Sequence, residues 1–286
     1  MQKVCGLLLL LIQPVSAAAS PVTDALLVGD CTGALKIQGT QAAAGAVALS
    51  LAQCQLQQVD ATAALVTLEG MRDARLLPYG QALTGQAQLS AGQPVAAITS
   101  LRKALTSPML KDPVRSQARF SLAMAQIQSG DLEGARAGLN ALLTQHLGAP
   151  GRLPVPGGLD PAEVRWQLAD TAVRRGAAAR AVPVWQAIWT RNPTSDRSAE
   201  AANRLAAAGA SPTSNAALML TRIQTLEKLF RYTDALALRE QLPDGHAARG
   251  PRTLARATFK ARDYARSAKL HAALPSRSAD ENLRLA

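Results

Sequence analysis

Apolar and small residues recur at steps of three and four along most of this chain, and glycine and proline interrupt them at regular places. The window from Trp166 to Pro193 shows the pattern best. Leu168 and Ala169 lie just before Gly176, Ala181 follows five residues after it, and Trp185, Ile188 and Pro193 complete the frame. Steps of three and four place these positions on one face of each of two helices. Small Ala169 and Ala181 let the helices approach, Gly176 permits the turn, and Pro193 ends the unit. The same frame recurs around Gly130 with Leu122, Ala123, Asp131, Ala135, Leu139 and Leu142. It recurs again around Gly92 with Gly85, Ala97, Leu101 and Ala104.

This is the spacing of the tetratricopeptide helix–turn–helix repeat. Gly92 to Gly130 is 38 residues and Gly130 to Gly176 is 46, the excess falling in a Pro/Gly-rich loop at 147–159. One hairpin cannot bury its apolar faces alone. With no alternating strand-like runs between hairpins, the expectation is an all-α fold, an α-solenoid of degenerate tetratricopeptide-like hairpins over residues 20–286.

Local signals mark further elements. Helical runs cover Ala61 to Glu69 and Gln81 to Ser90, with Gly70, Gly80 and Gly92 read as punctuation. Asp112-Pro113 marks one helix start, and Asp160-Pro161-Ala162-Glu163 another by a capping-box arrangement. Pro183 conflicts locally, because it falls in the early turns of a predicted helix. Later helices are expected over Ala199 to Ala208, Ala216 to Phe230, Asp234 to Leu242, Arg252 to Lys260 and Asp263 to Leu274, with Leu218, Ile223, Leu226 and Leu229 facing the core. Ser278 to Glu281 signals one more helix start close to the final residue Ala286, which reads as a chain cut in mid-repeat.

Composition sharpens the picture only in part. Hydrophobic residues make up 48% and aromatics 3%, so alanine and leucine must fill the interfaces. Net charge is +11, and residues 141–286 carry 21 Lys+Arg against 12 Asp+Glu. Such an excess suits an anionic polymer or surface. The candidate polyanion-binding residues are Arg249, Arg252, Arg256, Arg262 and Arg266, in a segment whose plainer reading is a solvated face.

The first 19 residues read as a secretory signal: Lys3, then the apolar run Leu7 to Ile12, then Ala17-Ala18-Ala19. The run is shorter than the roughly 20 residues of a membrane span, so no transmembrane span is expected after cleavage, and the protein should be periplasmic or secreted. Cys5 would leave with the signal. Cys31 and Cys54 remain, an even pair in an oxidising compartment. Antiparallel packing brings the start of one helix beside the end of the next, which makes a Cys31–Cys54 disulfide plausible; the alternative is two small buried core residues.

No constellation of catalytic, cofactor or metal type appears. His146, His246 and His271 are scattered and read as loop or surface residues. Glu69, Glu163, Glu200, Glu227 and Glu240 read as solvated helix faces. The Gly29-Asp30-Cys31 turn, the run Val164-Arg165-Trp166-Gln167-Leu168-Ala169, and Trp189-Thr190-Arg191-Asn192-Pro193 ahead of Ala201 to Gly209 resemble the superhelical N-terminal region of soluble lytic murein transglycosylases. Thr258 to Leu274, with Arg262-Asp263-Tyr264, is similar to the hairpins that precede the catalytic module in that family. That module uses a glutamate in a Glu-Ser motif, and no glutamate here is followed by serine. The resemblance therefore implies the half of a peptidoglycan lytic transglycosylase that binds and positions murein, with the catalytic domain absent. The alternative is a stand-alone periplasmic scaffold for protein–protein interaction. Peptidoglycan or periplasmic proteins are the expected partners; nucleic acid is not.

Overall fold

The three- and four-residue spacing becomes helix throughout the computed structural model, which describes residues 20–39, 45–145 and 158–276 and contains no strand among them. The signal segment, His146, most of the 147–159 loop and the capping box at 278–281 lie outside the described residues. The fold is all-α, an α-solenoid type of architecture made of antiparallel hairpins that pack on their neighbours within each unit. Two compact units divide it, and the division falls between Arg175 and Gly176. The window from Trp166 to Pro193, expected to be one central repeat, is thus shared between units.

The first unit holds α1 (Pro21–Leu27), α2 (Cys31–Gln38), α3 (Gly45–Gln57), α4 (Ala61–Glu69), α5 (Leu77–Ser90), α6 (Pro94–Thr106), α7 (Val114–Ser129), α8 (Leu132–Gln145) and α9 (Pro161–Arg174). Each helix packs on its successor, and α3, α5 and α7 also stack on one another. The core runs from Ala48 and Leu49 through Ala64, Ala82, Ala97, Leu101 and Ala104 to Ala118 and Ala125. A second cluster joins Ala123, Ala135, Leu139, Leu142 and Val164.

The alanine frame works because these side chains are small. Gly80 and Gly85 take the same logic further. A Cβ on Gly80 would lie 2.5 Å from Met71 Sδ, and one on Gly85 would lie 2.4 Å from Leu101 Cγ. Gly80 was expected to punctuate the chain. It sits inside α5 instead, because close approach to Met71 requires a residue without a side chain.

The second unit holds α10 (Val182–Arg191), α11 (Arg197–Ala207), α12 (Ala216–Lys228), α13 (Tyr232–Glu240), α14 (Pro251–Lys260) and α15 (Tyr264–Ala272). Here α10 packs on α11 and α12, α12 on α13, α13 on α14 and α14 on α15. Pro183 causes no conflict. The helix begins at Val182 after a short 3-10 turn, so Pro183 stands in the first turn, where its missing N–H has no partner to lose. In α12 the buried register is Met219, Ile223 and Leu226, while Leu218 and Leu229 are half-buried. Leu218 is expected to face the core, but the packing turns position 219 inward instead, one step of rotation away.

Most turns between paired helices follow one rule. A residue in the left-handed region precedes the N-cap, and the cap is often aspartate: Asp30, Asp60 and Asp131 accept from the N–H of Gly33, Ala63 and Gly134 at 2.8, 2.9 and 2.9 Å. Glycine fills the left-handed position at 29, 92 and 130, but Val59, Phe230 and Arg262 hold it with φ of 64°, 58° and 64°. A non-glycine residue there is strained by roughly 1–2 kcal/mol.

Candidate functional site

Cys31 opens α2 and Cys54 lies near the end of α3, so consecutive helices bring them together. They are joined as a disulfide with Cα atoms 5.3 Å apart, amid Val22, Leu26, Ala34 and Leu51. The bond fastens the first hairpin to the second. Its position is structural, since Cys54 is fully buried.

The five candidate arginines end up in different roles. Arg249 donates to the Leu242 carbonyl at 2.9 Å and pairs with Asp244. Arg252 donates to the Ser276 carbonyl at 2.6 Å, tying the start of α14 to the chain after α15. Arg266 meets Glu240 Oε1 at 2.5 Å, as an ion pair without hydrogen-bond alignment. Arg256 and Arg262 are exposed, Arg262 at the left-handed turn. The charges of Arg249 and Arg266 are therefore balanced by carboxylates within the fold.

Glutamates read as solvated also prove to be partners. Arg239, 7% exposed, donates to Glu227 Oε1 and to the Ala248 carbonyl, both at 2.9 Å, locking α12, α13 and the segment before α14 together. Glu227 and Glu240 thus belong to interhelical ion pairs rather than solvated faces. Their partners lie 12 and 26 positions away, which no helical period reveals.

His271 departs furthest from its reading as a loop or surface residue. It is fully buried in the last hairpin, with Nδ1 2.9 Å from the Ser267 carbonyl and 3.2 Å from Ser267 Oγ. Ser267 Oγ itself donates to the Ala255 carbonyl at 2.9 Å, so Nδ1 faces acceptors and carries the proton. His246, by contrast, accepts from Ala248 N–H at 3.1 Å and caps a short turn.

Arg222 is the most perturbed cation. Its guanidinium lies 4.7 Å from the Trp189 ring centroid and donates to the carbonyls of Trp189 and Pro193 and to Ser198 Oγ. Burial pushes it down to about 10, opposed by the charge of Asp234. It stays charged at neutral pH and serves as a pin across α10, α11 and α12.

Aromatics collect at the turn ends of the last two hairpins. Phe230 is 78% exposed and meets Tyr232 edge-on at 6.2 Å; Tyr264 is 57% exposed and meets Phe259 at 5.4 Å. Lys260 Nζ lies 5.7 Å over the Tyr232 ring and links the two turns. At 3% aromatic content, this clustering is a signal that reading by charge alone passes over.

A cleft of about 440 Å³ opens beside Gln186, Ser211, Ser214 and the start of α12. Asn215 already accepts the N–H groups of Ala217 and Leu218 there, so the helix end is satisfied from within. Among the described residues, no group of three His, Cys, Asp or Glu side chains could hold a metal ion, and no helix is long and apolar enough to cross a membrane.

No protein-family model and no curated protein matches the chain. Among solved structures it is similar to "Assembly Chaperone of RpL4 (Acl4) (Residues 1-338)" at 16% identity, covering 83% of this chain and 93% of that one, with a TM-score of 0.26. The helical-repeat assignment rests on the chain's own hairpins and turns.

Proposed function

We propose that the chain is an exported recognition module, which binds and positions an extended ligand and leaves bond cleavage to another domain or protein. The use of its ionisable groups carries this reading. Glu227 and Arg239 hold each other, Glu240 meets Arg266, and His271 is turned inward onto Ser267. General acid–base catalysis needs such a group free at a cleft, within reach of substrate. A disulfide at Cys31–Cys54 is the kind that persists in an oxidising compartment and supports export.

The resemblance carried by Trp166 to Ala169 and Trp189 to Pro193 favours peptidoglycan as ligand. Sedimentation of the purified mature chain with isolated sacculi tests it. Binding that weakens as salt rises, without release of muropeptides, is the expected outcome, because exposed charges are screened beyond about 8 Å at physiological ionic strength. Release of anhydro-muropeptides would overturn the recognition-only reading. A second reading, a scaffold for protein segments, is favoured by the exposed aromatics at Phe230 and Tyr264. No sedimentation even at low salt would select it.

A further inference from the structure

Phe230 and Arg262 occupy the same place in successive hairpins, the left-handed residue of the turn, where glycine stands at 29, 92 and 130. Nothing lies within 4 Å of a Cβ built on any of those three glycines. The turn itself therefore needs no side chain, and one at 230 or 262 strains the backbone. Phe230 recovers little by packing, being 78% exposed. Val59 shows the same strain and exposure with no such neighbours among the described residues, so it is the coincidence of strain with clustered rings and cations at 230 and 262 that points to a use outside the fold.

Their surroundings indicate the use. Lys260 lies over Tyr232, and Tyr264 stands at the start of the helix that follows Arg262. Of the nearby carboxylates, Asp234 pairs with Arg231 at 2.8 Å, while Asp263 caps its own helix, accepting from the backbone N–H of Arg266 at 3.2 Å. Lys260 and Arg262 form no ion pair with a carboxylate among the described residues. The edge thus offers two cations that form no ion pair among the described residues, together with two exposed aromatic rings.

We propose that Phe230, Tyr232, Lys260, Arg262 and Tyr264 form the docking surface for an acidic segment of a partner protein, with apolar side chains set between its carboxylates. The carboxylates would meet Lys260 and Arg262, and the apolar side chains would cover Phe230 and Tyr264. The charge at the edge argues for an acidic partner, and the rings argue against a ligand of charge alone. The proposal rests on the scaffold reading.

Fluorescence anisotropy with a labelled peptide alternating Asp or Glu with Leu and Phe tests it, beside a counterpart in which Gln replaces the acids. Phe230→Gly and Arg262→Gly should each weaken acidic-peptide binding about tenfold, as loss of a central contact does. The Tm of both variants should stay level or rise, since glycine relieves the turn. Weaker binding with a lowered Tm would mean the side chains serve the fold, and would overturn the proposal. So would equal affinity for the Gln peptide or for an oligothymidylate, or a matching loss of sacculus sedimentation in both variants. If the wild-type chain binds sacculi but not the acidic peptide, the edge and the scaffold reading fail together while the peptidoglycan reading stands; if it binds neither, the edge fails as a peptide site while the scaffold reading, selected by the lack of sedimentation, stands.

Discussion

At the scale of single residues, backbone strain and buried charge are the two features that mutation can read. Val59 is β-branched, 84% exposed and held at φ 64°, so its side chain contributes little to set against the strain. Val59→Gly removes roughly 1–2 kcal/mol of strain and forfeits about 0.5–1 kcal/mol of chain entropy. A net gain of about 0.5–1 kcal/mol in urea unfolding is expected. Arg222 runs the other way. Arg222→Met leaves the Trp189 and Pro193 carbonyls and Ser198 Oγ without their shared donor, and should cost about 1–3 kcal/mol. Arg222→Lys keeps the charge but not the planar fork, so it should recover only part of that loss. Full recovery by lysine would show that charge alone matters there.

At the scale of elements, close approach and the disulfide decide how hairpins join. Gly85→Ala should raise the intrinsic helix preference of α5 by about 1 kcal/mol. The added Cβ would meet Leu101 Cγ at 2.4 Å, Cδ2 at 2.9 Å and the Ala97 carbonyl at 3.3 Å, and Leu101 is fully buried. Overpacking of this kind costs about 1–3 kcal/mol, so a net loss in thermal or urea stability is expected. A gain would mean that α5 and α6 can separate freely. Cys31→Ala combined with Cys54→Ala opens a link of sequence separation 23 and should remove about 3 kcal/mol on the chain-entropy account. Hydrogen exchange should show the loss concentrated in α1 to α3, where the disulfide is the main tie beyond a small apolar cluster.

At the scale of the whole molecule, much of the architecture was legible because it is periodic. The frame around Gly92 and Gly130 marks hairpins through small residues that only antiparallel helix packing requires, and Asp30, Asp60, Asp131 and Asp160 mark helix starts through local hydrogen bonds. Information of this kind acts over four or five positions and survives in a single sequence. It determined the all-α class, the helix order and the pairing of most hairpins. Tertiary structure alone decided the rest. The break at Arg175–Gly176, the choice of Met219 over Leu218, the inward turn of His271 and the pairing of Arg239 with Glu227 all depend on contacts between separate elements. The same holds for the aromatic edge, because Lys260 reaches Tyr232 only after α14 packs on α13. Packing distance in space is independent of distance along the chain, so these features carry no period that a sequence could display.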